Sequence, residues 1–454
     1  METASRHLGQ HAIVIGGSIA GLLSARILAE FFERVTLLER DELHEPLATR
    51  RSVPQGHHAH FLLKGGEQIM EKLFPGLVQD LVDLGSVPVR AGLDIIVSGL
   101  FDQPRRDLGI TCHCQTRGLL EHALRRRLDE QRNVETRWGC SATALSTDTP
   151  KRHVLGVTYR DHQVGTENSL SADLIIEAGG RGALTRRWLE DLGLGSPPTV
   201  EIGVDLGYTT GIFEIPEDPA RDWKGLVVAG KPPEDGRGAL VLPIEGDRWI
   251  VTLGARFGHY PPKEYEGFIA FTQSLPDTAI YTAIKDAKLV SDIHQYRFPT
   301  SVWRRYEAME AFPERLIPLG DTLCSFNPLF GQGMTSAALQ VESLRAALLG
   351  RIDQSDPLNG LSRDVLRRAA AIVANPWMQA AEQDFQYRET RGERPPPDET
   401  ASRYMRHLAG VIHEDIEVQR QFHRVLHLLN HPKTLREEPI CSKVAVHMRE
   451  HPDG

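Results

Sequence analysis

No run of apolar residues in this chain approaches the ~18 that cross a bilayer. The apolar opening stretch, Ala12 to Ile15, meets glycines too early to be a secretory leader. Cysteine is scarce: five, an odd number and widely scattered, which argues against a disulfide framework and suits a reducing compartment. A surplus of positive charge is missing too. The formal net charge is −9, whereas a nucleic-acid binder needs a basic face. The local run Arg125, Arg126, Arg127 reads as the solvated side of a helix. Internal repeats and extended low-complexity segments are absent as well. The expectation is a soluble, cytoplasmic protein of two or three domains, because 454 residues exceed one small core and the composition is 41% hydrophobic and 25% charged.

The chain opens on "HAIVIGGSIAGLLSARILAEFFERVTLLER", which reads as a strand, a glycine turn, an amphipathic helix and a second strand. Gly16, Ser18 and Gly21 stand where the dinucleotide fingerprint wants three glycines. Gly16 permits the tight turn, Ser18 is a small substitute where backbone approaches a pyrophosphate, and Gly21 lets the helix pack against the sheet. Glu39 closes the second strand, where an acid accepts hydrogen bonds from an adenosine ribose and favours FAD or NAD over NADP. Far along the chain, "RLIPLGDTLCSFNPLFGQGMTSA" places Asp321 at a strand end and Gly331, Gly333 and Met334 at a helix start. A carboxylate there can take a ribityl hydroxyl. Helix amides suit the anionic edge of a reduced flavin, which makes FAD the preferred cofactor.

Between these ends, "VPQGHHAH" reads as a loop followed by a helix, "TRGLLEHALRRRLDE" as a helix with Leu119, Leu120, Ala123 and Leu124 on one face, and "DLIIEAGG" as a buried strand. From about Glu201 to Gly258 the texture turns β-rich, with a hairpin at Glu245 to Asp247, and "RLIPLGD" returns to the first domain. The chain after Thr335 is mostly helical, interrupted by a loop from Arg391 to Glu399. The fold class expected is α/β. A discontinuous Rossmann-like FAD-binding domain spans residues 1–80, 105–195 and 290–350. An inserted antiparallel β-sheet substrate domain spans 81–104 and 196–289, and a C-terminal helical region spans 351–454.

The stretches "VIGGSIAGLLSAR", "SVPQGHHAHFLL", "TRGLLEHALRRRL", "PIEGDRWIVTLG" and "PLGDTLCSFNPLFGQGMTSA" together resemble single-component (group A type) FAD-dependent monooxygenases, in particular the squalene-epoxidase-like branch with the polyether epoxidases. The resemblance covers about Ala12 to Leu349. It implies that Gly16, Ser18 and Gly21 meet the FAD pyrophosphate, that Glu39 holds the ribose with Arg40 beside the adenine, and that backbone near Ala142 touches the adenine. Arg117, and as a second candidate Arg51, would contact the flavin. Asp321 would bind the ribityl chain and pyrophosphate, Pro328 would face the ring, and amides near Gly331, Gly333 and Met334 would hold its pyrimidine edge. Gln55 and His60 become candidate pocket residues, and no acid–base pair is assigned. The family reaction inserts one oxygen atom from O2 through a flavin C4a-hydroperoxide, with NADH or NADPH, or a partner reductase, supplying electrons. The β-rich patch Val204 to Thr252 would cover a pocket for a lipophilic small molecule, polyketide- or terpenoid-like.

One departure tempers this. Where relatives carry an Asp-Gly motif, this chain has "IIEAGGRGALTRRW", with Glu177, Gly179, Gly180, Arg181 and Ala183. The longer acid keeps open an FAD-binding cyclase that performs a redox-neutral ring closure; a flavin oxidase or dehydrogenase is a further alternative. A metal at His57, His58 and His60 is disfavoured, since no carboxylate or cysteine stands at ligand spacing. Cys112 and Cys114 bracket His113 as a strand edge rather than a zinc or redox site. Halogenation is disfavoured because neither Trp249 nor Trp303 is followed by a second Trp two residues on. The segment "SRYMRHLAGVIHEDIEVQRQFHRVLHLL" reads as a long docked amphipathic helix, with a membrane-surface helix as the lesser reading.

Overall fold

Alternation in the first strand, Gly9–Ile15, decides the layering of the molecule. Ala12 and Val14 point to one face and Ile13 and Ile15 to the other, and all four are buried. The computed structural model describes residues 7–452 except 44, 46, 48, 100–102 and 183; the Ala183 position therefore lies outside the described residues. Five parallel strands line up in the order Leu316–Pro318, Leu174–Glu177, Gly9–Ile15, Phe32–Glu39 and Val134–Trp138. On one face Ala12, Val14, Leu37 and Ile176 pack against helices. On the other, Ile13, Ile15, Leu38 and Ile175 pack against a three-stranded antiparallel sheet built from residues 140–171, which carries no clear pattern in the sequence. The strand Leu316–Pro318 joins this sheet more than 130 residues after its neighbour, so the chain leaves the layer and comes back.

The excursion supplies five strands of a seven-stranded sheet in the order Cys324–Ser325, His294–Arg304, Thr199–Glu214, Arg248–Ala255, Arg237–Ile244, Gly225–Val228 and Ile95–Ser98, the first of these coming from after the excursion and the last from before it. Its hairpin turns at Gly246 and Asp247, both at positive φ. The sheet is mixed rather than wholly antiparallel: Ile95–Ser98 runs parallel to Gly225–Val228, because it arrives by a long connection rather than a hairpin. This architecture is an α/β fold with a Rossmann-like parallel sheet, an inserted mixed sheet and C-terminal helices.

Three details of the expected elements change. The first helix, Ile19–Leu28, is buried all round except at Arg26, so it is a core helix and not an amphipathic one. Arg125 is buried beside Glu121 and over Trp138; only Arg126 of the basic run is fully exposed. The long C-terminal pattern is two helices, Glu399–Glu414 and Ile416–Leu426. Asp415 separates them by accepting hydrogen bonds from the Glu417 and Val418 amides, which caps the second. With the last helix, Ile440–Glu450, they share a separate apolar core of Leu408, Ile412, Phe422 and Val444.

Gly21 sits where the first helix crosses the turn: a Cβ there would lie 1.7 Å from the Gly16 carbonyl oxygen. Neither backbone can yield without moving the strand. Gly21→Ala is expected to cost about 3 kcal/mol or more, read as a lower urea midpoint with the m-value unchanged.

Candidate functional site

The parallel strands end on one edge, and the loops beyond that edge surround a cavity of about 920 Å³. That is at the upper end of small-molecule sites, ~300–1,000 Å³. Ile15, Gly16 and Ser18 line it from the first turn, and Cys140, Ser141 and Ala142 from the three-stranded sheet. Asp321 and the segment 326–334 line it from the late loop. The cavity continues without a wall into the mixed sheet, reaching Tyr208, Val227, Leu240, Leu242 and Gly254.

Two helix N-termini open on it. The first helix has Ser18 at its cap position, and the Gly333 helix, Gly333–Leu349, has Gln332. Neither cap residue makes a side-chain capping bond, and neither first turn holds an acid, so both ends present free amides and partial positive charge. Glycines make the cradle. Gly16 has φ +101° and a Cβ would meet the Ala178 carbonyl oxygen at 2.5 Å; Gly331 has φ +64°, and a Cβ on Gly333 would enter open space. The lining holds five arginines (40, 117, 181, 187 and 256) against two acids, Glu39 and Asp321, inside a protein of net charge −9. Amides, arginines and glycine-lined backbone form a donor set that fits a long dinucleotide with an anionic middle.

Behind the lining lies a buried ionic hub. Glu121, one turn into the helix Arg117–Asp129, accepts from Arg50 Nη2 at 2.9 Å, Arg117 Nε at 2.9 Å and Ser18 Oγ at 2.6 Å, with Arg125 Nη1 at 3.4 Å. Burial alone would push this carboxyl up, but Arg117 and Arg50 hold it down at about 2. Arg50 also pairs with Glu39 Oε2 at 2.8 Å. Burial works against the Arg50 charge, and Glu121 and Glu39 more than offset it, leaving its pKa raised. Arg117 Nη2 donates to Ser18 Oγ at 2.7 Å. One carboxylate thus ties the glycine turn, the Arg117 helix and the loop before Ser52 together.

The structure gathers Gly16, Ser18, Glu39, Arg40, Gln55, His60, Arg117, Ala142, Asp321, Pro328, Gly331, Gly333 and Met334 around the cavity. Gly21 does not reach it and serves the helix packing instead. Arg51 is exposed and lies outside it; its neighbour Arg50 is the buried one, a choice that two adjacent arginines in a loop leave open in the sequence. Glu39 is partly committed, accepting from the Gly17 amide at 2.6 Å and the Asp41 amide at 2.9 Å. Asp321 lies in a short 3₁₀ turn, Gly320–Thr322, beyond the strand. Burial raises its pKa, opposed by Arg181, Arg117 and Arg304. His60 is held neutral, its pKa lowered to about 4 by burial and by Arg117.

Glu177 is fully buried and does not line the cavity. It accepts from the Gly179 amide at 2.7 Å, Thr185 Oγ1 at 2.9 Å and Thr322 Oγ1 at 3.1 Å, clamping the two loops that flank the site. Residues that motif reading passed over include Glu121, Tyr208, Arg256, Asp384 and Tyr387. Of these only Glu121 left a trace, an acid set four residues from both Arg117 and Arg125 on one helix. Among the described residues no cluster of three or more His, Cys, Asp or Glu could hold a metal, and no helix is long and apolar enough to cross a membrane. All five cysteines are free.

Glu121→Gln leaves three guanidiniums without their shared counter-charge and is expected to cost about 3–5 kcal/mol at pH 7. Because the native pKa lies below the unfolded value, the Glu121 contribution is present above pH ~4.5 and is lost as pH falls toward about 2. The stability gap between wild type and variant should therefore narrow across that window in denaturation curves taken at successive pH values.

No protein-family model matches the chain. Among solved structures it superposes on the flavin-dependent brominase Bmp2 with a TM-score of 0.67 at 14% identity, covering 98% of this chain and 100% of that one. It matches p-nitrophenol 4-monooxygenase PnpA from Pseudomonas putida DLL-E4 with a TM-score of 0.66 at 16% identity, over 93% and 99% of the two chains. A flavoprotein/dehydrogenase from Cytophaga hutchinsonii gives 0.68 at 14% identity, over 97% and 99%. At such identities the likeness is one of fold, that of the FAD-dependent monooxygenases and halogenases. In sequence, Protein Rv3254 of Mycobacterium tuberculosis is 33% identical over 395 residues, spanning 84% of this chain and 82% of that relative. The chain belongs to the family of this mycobacterial protein.

Proposed function

We propose that this protein is an FAD-dependent monooxygenase that inserts one oxygen atom from O2 into a lipophilic small molecule, by epoxidation or hydroxylation. The observation that carries the reading is the pair of uncapped, acid-free helix N-termini opening on one cavity that runs on into an apolar sheet face. Gly16, Ser18 and Arg117 would hold the pyrophosphate, Glu39 and Arg40 the adenosine, with Ala142 backbone beside the adenine. Asp321 would hold the ribityl chain, and the amides of Gly333 and Met334 the flavin ring, with Pro328 against it. Bound flavin supplies two-electron reduction and activation of O2, with NADH or NADPH as the electron source.

The chain's own part is positioning and exclusion of water. The Gly333 helix places partial positive charge where negative charge on a reduced cofactor would gather. Val227, Leu240 and Leu242 offer an apolar wall for the substrate. The motifs that resemble the squalene-epoxidase-like branch favour a polyketide- or terpenoid-like molecule. The redox-neutral cyclase drew on the altered acid at Glu177, and that carboxylate faces Gly179, Thr185 and Thr322 rather than the cavity.

An anaerobic absorbance spectrum of the purified protein tests this reading. A bound-flavin spectrum that bleaches on addition of NADH or NADPH with substrate present is expected; protein that takes up no FAD refutes it. Gly333→Asp introduces an acid into the first turn of the helix, where a Cβ has open space, so folding should be untouched. FAD affinity should fall by about 5- to 30-fold in a fluorescence titration.

A further inference from the structure

Every strongly buried arginine at the cofactor end of the cavity has its counter-charge: Arg50 has Glu121 and Glu39, and Arg117 has Glu121. Arg256 does not. It follows the strand Arg248–Ala255, lines the cavity among the apolar residues of the mixed sheet, and its side chain is 7% exposed. Of its five N–H donors, Nη2 reaches Asp384 Oδ1 at 3.4 Å, and Nε is buried without a hydrogen-bond partner. The guanidinium lies over the Tyr387 ring, 4.7 Å from its centroid, which covers a face and leaves the donor edges unmatched.

Its partner is equally incomplete. Asp384 Oδ1 is shared with Asn327 Nδ2 at 2.8 Å, and Oδ2 is buried with no hydrogen bond. The Tyr208 hydroxyl, also a cavity residue, is buried and its proton meets no acceptor; the backbone amide of Leu329 is the group that faces its oxygen. Asn327 caps the turn Pro328–Phe330, so this cluster sits at the junction of the two halves of the cavity.

An arginine cannot shed its proton to escape burial. A guanidinium held by one long contact in an apolar wall carries most of its desolvation cost, which a well-placed anion would offset. A cationic ligand would aggravate the imbalance, and a hydrocarbon would leave both the Arg256 and Tyr208 donors unmet. We propose that the substrate of this site is a lipophilic organic oxyanion, a carboxylate or an enolate-type oxygen on an apolar body, received by the Arg256 guanidinium and the Tyr208 hydroxyl beside the Pro328 turn. This assignment rests on the reading that the other half of the cavity takes FAD.

Asp384 competes with such a ligand for Arg256. Burial raises its carboxyl to about 6, against the pull of Arg256 and Asn327. The other titratable groups facing the cluster are Tyr208, Tyr296 and Tyr387, with Asp235 beyond, itself paired to Arg237. As pH falls through about 6 Asp384 becomes neutral, Arg256 loses its competitor, and an oxyanion binds more tightly. Asp384→Asn should remove that dependence.

The test is calorimetric titration of the FAD-loaded protein with 2-naphthoate, with the enolate of 2-phenyl-1,3-indandione, and with neutral 2-naphthamide. At least one anion should bind about ten- to a hundredfold more tightly than the amide, and the two anion arms separate carboxylate from enolate. Arg256→Gln should abolish the preference while keeping the flavin spectrum, Arg256→Lys should restore part of it, and Tyr208→Phe should weaken the anions alone. Equal affinity for amide and anions, or an anion preference that survives Arg256→Gln, overturns the proposal. Loss of FAD from Arg256→Gln also overturns it, by making the residue a cofactor contact. Wild-type protein that takes up no FAD refutes the monooxygenase reading instead, and the same calorimetry still reads the anion preference.

Discussion

The Glu121 carboxylate is the point on which the site depends. It is the shared counter-ion of Arg50, Arg117 and Arg125, and it accepts the Ser18 hydroxyl as well. Three buried guanidiniums would repel one another and lose hydration without it. With it, they become struts: Arg117 reaches the turn before the first helix, and Arg50 reaches Glu39 at the end of the neighbouring strand. The glycine turn has little side-chain bulk of its own to hold its shape. An ionic network set behind it supplies the rigidity that Gly16, Gly17 and Gly21 cannot.

A second clamp works on the opposite flank. Glu177 ends the strand Leu174–Glu177 and binds Gly179, Thr185 and Thr322, so the loop carrying Asp321 is fixed to the loop carrying Arg181. Both clamps use a buried carboxylate saturated with donors, one charged and one largely neutral-donor. Burial raises the pKa of Glu177, whereas arginines depress that of Glu121, which reflects that difference in partners. The mixed-sheet end of the cavity lacks such saturation, and there donors of Arg256 and Tyr208 meet no acceptor.

The parallel sheet and its glycine turn were legible because backbone geometry imposes them locally: strand, φ-positive glycine, helix and acid follow one another within thirty residues. The late loop was legible for the same reason, with Gly331 and Gly333 next to a helix start. What escaped was set by long-range packing. The three-stranded sheet covering Ile13 and Ile15 has short apolar stretches and one edge strand, Glu167–Ser171, that is almost wholly exposed and polar, too little pattern to announce a sheet. Arg125 reads as solvated because charge is the default sign of exposure, and its pairing with Glu121 four residues away and its place over Trp138 reverse that. Arg256, Asp384 and Tyr208 come from three distant segments, and no spacing in a one-dimensional sequence brings them together.

The charge asymmetry of the cavity has a kinetic consequence. A body of net charge −9 repels an anion at distances where individual groups blur together, yet the interior it must reach is lined by five arginines and two helix N-termini. The outer repulsion acts through solvent and is screened over about 8–10 Å at physiological ionic strength. The inner attraction acts at contact, sheltered by protein walls. Salt would therefore relieve the barrier to encounter before it weakened capture, and uptake of the proposed oxyanion is expected to quicken with ionic strength where a uniformly cationic binding protein would show the reverse.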